Sequence, residues 1–165
     1  MRDPNEAEID AFLEIEGIKG ESLDAKFRDQ IQIDTYSWGA YQRDASPGRK
    51  TRSASCQIEN LVVTKRVDRA TPPILQAVCQ NRNFERVSLF TRRAGGNLAL
   101  NFLEIELTDV VVASWSITAS KNGGIPAEQI SFAFLKCQIR YRPQAGDGKA
   151  SGGPVEFGYT IPTGI

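Results

Sequence analysis

Two pairs of carboxylates at period-2 spacing, Glu14 with Glu16 and Glu104 with Glu106, are the residues of this chain that most suggest catalysis. On a strand, each pair would project from one face about 6.6 Å apart, a separation a glycoside-cleaving dyad could use. Nothing in the surrounding sequence raises the pKa of one carboxyl above that of its mate, as an acid and a base sharing one site require. Such pairs more often line a wetted face or meet lysine and arginine across a sheet. Histidine is absent. Its absence removes the usual neutral-pH base and the commonest metal ligand, and it excludes a Ser-His-Asp or Cys-His mechanism within the chain. Cys56, Cys79 and Cys137 are odd in number and lack C-x-x-C spacing, which argues against zinc and permits at most one disulfide. They read as buried free thiols in a protein folded in a reducing compartment. Gly95-Gly96 could cradle a phosphate, but no helix and no P-loop lysine follows, so a hairpin turn is the better reading. No catalytic, cofactor or metal residue is expected, and the chain reads as not an enzyme.

With 165 residues, the sequence fits one domain over 1–165, with a core from about 9 to 161 and a flexible start at 1–8. Lysine plus arginine number 20 and aspartate plus glutamate 20, so no general attraction to nucleic acid or anionic membranes is expected. No run of about 18 apolar residues exists, and membrane insertion by a helix is not expected. The start, MRDPNEAEID, is acidic and has no apolar h-region, so a route out of the cell would not use a cleaved signal peptide.

The elements that must position any site are mostly strands. Ile9, Ala11, Leu13 and Ile15 alternate with Asp10, Phe12, Glu14 and Glu16 as a half-buried strand. Residues 19–29 are polar around one apolar anchor, Phe27, and read as a loop. Ile31, Ile33, Thr35 and Ser37 then share one face of a second strand, with Tyr36 and Trp38 on the other. Residues 43–53, RDASPGRKTRS, have no period and form an extended loop or hairpin arm. Strand signals resume at 56–67 and recur at 87–93, 98–107, 110–118, 130–142 and 154–161, with glycine turns at 94–97 and 121–124 and a polar link at 144–153. Between them, Thr71-Pro72-Pro73 opens a short helix over about 72–80. The prolines fit its first turn, Thr71 is the expected N-cap, and Ile74, Leu75 and Val78 form the expected buried stripe. This pattern predicts a mainly β protein: a compact β-barrel of two antiparallel sheets with one short α-helix on its flank.

Five separated signatures then coincide: Gly17-Ile18-Lys19-Gly20-Glu21-Ser22, Ser37-Trp38-Gly39, Lys65…Asp68…Thr71-Pro72, Arg93-Ala94-Gly95-Gly96, and Gly152-Gly153-Pro154-Val155-Glu156-Phe157-Gly158-Tyr159. In this order and spacing the chain resembles the Hcp family (haemolysin-coregulated protein), the inner-tube component of the bacterial type VI secretion system. The 43–53 loop is more basic than in typical relatives, and the start is longer and more acidic. The chain ends soon after its last strand, unlike extended members that carry a C-terminal toxin. The resemblance implies a tight barrel assembled into a homohexameric ring. Rings stack into a hollow tube that a contractile sheath drives from the cytoplasm out of the cell or into a target cell. The implied partners are further copies of itself, the VgrG spike, the sheath and small effector proteins.

The resemblance also places the strand carrying Thr35 and Ser37 against the channel, where small polar groups would leave room for cargo. The contact set expected between subunits or rings is Arg43, Arg49, Lys50 and Arg52 in the loop, with Lys65, Arg66 and Asp68 before the helix, because exposed loops often carry function. Two other readings compete: a ring acting mainly as effector-binding chaperone, and a β-barrel hydrolase, which the missing histidine disfavours.

Overall fold

The computed structural model describes residues 8–48, 56–94, 100–144 and 149–163. The start at 1–7, Arg49, Lys50 and Arg52, the Gly95-Gly96 turn and the middle of the polar link, 145–148, lie outside them.

Among the described residues, ten strands and one helix follow in order. They are β1 (Ile9–Ile15), β2 (Ile31–Ile33), β3 (Thr35–Ser37), β4 (Ala40–Gln42), β5 (Cys56–Ile58), β6 (Leu61–Arg66), α1 (Thr71–Cys79), β7 (Asn83–Arg93), β8 (Asn101–Thr118), β9 (Ala127–Tyr141) and β10 (Val155–Thr160). The main sheet is antiparallel, in the order β2-β1-β7-β8-β9-β6-β3, with β10 also paired to β9; β4 and β5 form a separate hairpin. Because β2 and β3 are neighbours in sequence, the two ends of that order are one bent strand. Asp34 is the joint, and its N–H donates to the Thr64 carbonyl at 2.9 Å. The sheet therefore curls into a nearly closed barrel, which removes most of the edges that would otherwise template aggregation.

The bend corrects one expectation. Ile31 and Ile33 are buried, but Thr35 and Ser37 on the far side of Asp34 are exposed. Tyr36 turns inward instead, and its hydroxyl meets the Thr91 hydroxyl at 2.8 Å. A strand that changes neighbours at a bend also changes which parity faces the core. The strands expected at 98–107 and 110–118 are likewise one, β8. Asp109 interrupts it at φ 54, and a register shift follows between Val112 and Ser114.

The helix begins one residue earlier than expected, and Ala70 is its N-cap, without a side-chain cap bond. Thr71 is thus inside the first turn, and its hydroxyl is used elsewhere. The buried face is Ile74 with Ala77, while Leu75 is exposed, since i+1 lies off the i, i+3 stripe. The helix ends in a Schellman turn: Asn81 adopts φ 48, its N–H donates to Val78 and that of Arg82 to Ala77. Loop 19–30 folds over the outer face of β1. Phe27 stacks on Phe12 with ring centroids 4.6 Å apart, and the two arms of the loop approach so closely that a Cβ on Gly20 would lie 2.4 Å from the Gln30 carbonyl oxygen. Among the described residues no helix is long and apolar enough to cross a membrane.

Candidate functional site

Three regions of this barrel have chemistry beyond packing. The first is the outer face of β3, β6, the first half of β9 and the second half of β8. Register aligns Thr35 with Thr64 and Gln129, then Ser116; the next row aligns Ser37 with Val62 and Ser131, then Ser114. The Thr35 and Thr64 hydroxyls meet at 2.5 Å, and the Ser114 and Ser131 hydroxyls also meet. These two rows are uncharged and, apart from Gln129, short-chained, and Thr35 and Ser37 lie at their open margin. Such a face offers many small hydrogen-bonding groups and no fixed charge with which to select a ligand.

By contrast, the outer face farther along β7 to β10 is a charged ladder. Arg140 lies between Glu104 at 3.5 Å and Glu156 at 2.6 Å, and Arg86 faces Glu106 at 3.8 Å. Glu14 accepts from the Gln30 amide at 3.1 Å. Glu14, Glu104 and Glu106 are thus engaged separately, the first in a hydrogen bond and the other two in cross-strand ion pairs. Among the described residues, no group of three or more His, Cys, Asp or Glu stands where it could hold a metal ion.

The second region is internal. Alternation along β6 turns Leu61, Val63 and Lys65 inward, and Lys65 has no exposed side-chain surface. Its ammonium donates to the Glu128 carboxylate directly opposite on β9, to Asp68 Oδ1 at 2.8 Å and to the Arg66 carbonyl at 2.9 Å. Glu128, equally buried, accepts from Trp115 Nε1 at 2.7 Å and from the Thr71 hydroxyl at 2.8 Å. Asp68 Oδ1 also receives the Ala70 N–H at 2.8 Å. The spacing Lys65…Asp68…Thr71-Pro72 is therefore a strap that ties the start of α1 to the barrel. This corrects the expected contact set: Lys65 has no surface to offer a neighbour, and Asp68 is spent on the same strap. Arg66 differs, with 68% of its side chain exposed and only a 4.0 Å approach to Asp34. Arg43 is exposed as well.

The third region is a flange. Beyond the point where β6 leaves β9, β10 takes over its edge, pairing Phe157 with Ile139 and Val155 with Tyr141. These residues lie on the inward-facing side of the sheet, yet Val155 and Phe157 are 66% and 61% exposed. Opposite them stands the β4–β5 hairpin. Between the two is an apolar groove of about 210 Å³, lined by Trp38, Ala40, Ile58, Cys137, Ile139 and Phe157 among others.

A family model described as "Type VI secretion system effector, Hcp" matches residues 12–141. The chain belongs to the Hcp family. It is 31% identical to the Hcp1 protein of Pseudomonas aeruginosa over 154 residues, covering 93% of this chain and 95% of that one. Among solved structures it is similar to a type six secretion system protein at TM-score 0.83 and 27% identity, covering 93% and 96% of the two chains. It is also similar to a type VI secretion system effector from Yersinia pestis at TM-score 0.75 and 26% identity, covering 92% and 100%. The Hcp barrel flanked by a short helix is the architecture expected from the sequence.

Two features of this Hcp chain escaped sequence reading. Arg92 lies over the rings of Phe12 and Phe27, at 5.1 and 5.6 Å, and its guanidinium reaches Asp24 in loop 19–30 and Asp10 on β1. The hydrogen bond to Asp24 raises the Arg92 pKa and lowers that of Asp24 below its usual range. No local pattern marks this clamp, because its parts are 68 residues apart. The flange did leave a signal: Val155, Phe157 and Tyr159 alternate strictly in the glycine-rich C-terminal signature.

Proposed function

We propose that this Hcp protein is a structural subunit of the type VI secretion tube, forming hexameric rings that stack into a hollow cylinder. The reading rests on the agreement in sequence and fold with Hcp proteins along nearly the whole chain. The work is mechanical. Many modest contacts repeated around and along a closed assembly hold together more strongly than any one of them alone. Sheath contraction would expel the tube from the cytoplasm, with the VgrG spike at its tip and small effectors inside. Arg43 and Arg66 are exposed and serve this reading as contacts between subunits or between stacked rings, together with Arg49, Lys50 and Arg52 of the loop expected at 43–53. The face bearing Thr35 and Ser37 is assigned to the channel, where short neutral side chains leave space for cargo. Catalysis, cofactors, nucleic acid and membrane insertion have no part in this role. Native mass spectrometry of the purified protein tests it: a six-copy species is expected, and single copies alone at micromolar concentration would count against it.

The hydroxyl-rich face favours a second reading, in which the ring chiefly shelters effectors. Ser37→Gln should then reduce the level of a co-expressed effector while rings persist. Unchanged effector levels would leave the tube role standing without the chaperone role.

A further inference from the structure

We infer that the β10 flange of one copy is covered by the start of β1 of the next, with Ile9 of the neighbour seated beside Val155 and Phe157 at the mouth of the groove. The inference rests on the ring reading and adds which surfaces close the ring.

The sheet itself supplies the argument. At one end of the barrel it is a row of five strands, β1-β7-β8-β9-β10. On the β1 side, β2 pairs only with Ala11, Phe12 and Leu13, so among the described residues no strand lies beyond Ile9 and Asp10. On the β10 side, no described strand pairs with its outer edge. One sheet therefore has two open margins at the same end, facing in opposite directions. Within a single copy these margins cannot meet. Between copies related by a rotation they can, and such a contact, repeated about one axis, gives a ring when the rotation closes.

The chemistry of the margins agrees. Cross-strand register gives the row Leu13, Leu89, Ile105, Ile139, Phe157, and the adjacent row Ala11, Thr91, Leu103, Tyr141, Val155. Both rows are buried at β1 and open at β10. Ile9 continues the inward-facing parity of β1 by one step and is 52% exposed, an apolar side chain at the opposite margin. Antiparallel pairing at each of the four steps makes β1 and β10 parallel, so the joint is head-to-tail. A two-fold dimer through β10 alone would leave the β1 margin and Ile9 uncovered.

Charge-swap variants test this, read by native mass spectrometry across a dilution series of the full chain. Phe157→Glu and Ile9→Lys each place a charge in an apolar joint. Each should raise the concentration at which rings half-dissociate by at least about tenfold, as central interface residues do. The double variant, Ile9→Lys with Phe157→Glu, sets opposite charges against each other across the joint and should restore most of that loss. Both side chains are over half exposed in one copy, so circular dichroism should show all three variants folded. If the single variants dissociate like the unaltered protein, the surfaces are wrong while the ring stands. If the singles break rings and the double stays broken, the assignment of Ile9 to Phe157 is wrong. Dimers insensitive to Ile9→Lys would replace it with the two-fold joint. If the unaltered protein forms no rings, the tube reading and this inference fail together.

Discussion

Leu13 on β1 and Phe157 on β10 lie on one cross-strand row of the same sheet, yet the first is fully buried and the second is 61% exposed. The inner apolar layer of the barrel thus runs past the barrel's own cover. Leu13→Ala should cost the isolated protomer about 2–5 kcal/mol, through lost transfer energy and a cavity. Phe157→Ala should cost it under about 1 kcal/mol, because that side chain gives up little contact in one copy. Denaturant titration below the assembly concentration separates the two; equal losses would mean that β10 is part of the protomer core.

Lys65 and Glu128 form a buried pair at the foot of the helix. Lys65→Met should destabilise the chain by about 3–5 kcal/mol, since Glu128 would be left in the interior without its cationic partner. Adding Glu128→Gln should recover at least half, because the amide oxygen can still accept from Trp115 while the charge is gone. Chemical denaturation of the single and double variants measures the coupling. No recovery would show that the ammonium itself, through Asp68 and the Arg66 carbonyl, does most of the holding.

The Arg92 clamp predicts the acid limb of stability. Asp24 has its pKa lowered mainly by the Arg92 hydrogen bond, so the folded state holds its carboxylate more strongly than the unfolded chain does. That contribution is present above the ordinary aspartate value of 3.8 and is lost as pH falls through the lower folded value. Asp24→Asn should therefore lower the thermal midpoint at pH 7 and narrow the gap to the parent as the pH is taken below about 3.8. A gap that stays constant across that range would exclude the ion pair as its source.

These particulars show what the sequence could and could not reveal. Local alternation made β1, the strands of the long hairpin and β10 legible, because a half-buried strand writes its own period. The five spaced signatures were enough to reach the Hcp family. The bend at Asp34 was not legible: Ile31, Ile33, Thr35 and Ser37 keep perfect parity in sequence, and only the exchange of partner from β1 to β6 turns the last two outward. Lys65 read as a surface charge because its partner Glu128 is 63 residues away. Long-range pairing decides burial in a barrel, and it leaves no local trace.

Thiol chemistry offers a further check. Cys79 is exposed, Cys56 half-buried and Cys137 buried, and burial pushes the Cys137 thiol above its usual pKa. A maleimide at neutral pH should label Cys79 first and Cys137 last, since both access and thiolate fraction disfavour the buried thiol. Peptide mapping with time reads the order. Early labelling of Cys137 would mean that the β4–β5 hairpin opens the groove in solution.

The central claim is that this barrel is one unit of a closed annulus. Negative-stain electron microscopy of the purified chain measures it most directly. Top views should show a ring of six equal lobes around an open centre. A field of solid particles the size of a single copy, at concentrations well above micromolar, would contradict the account.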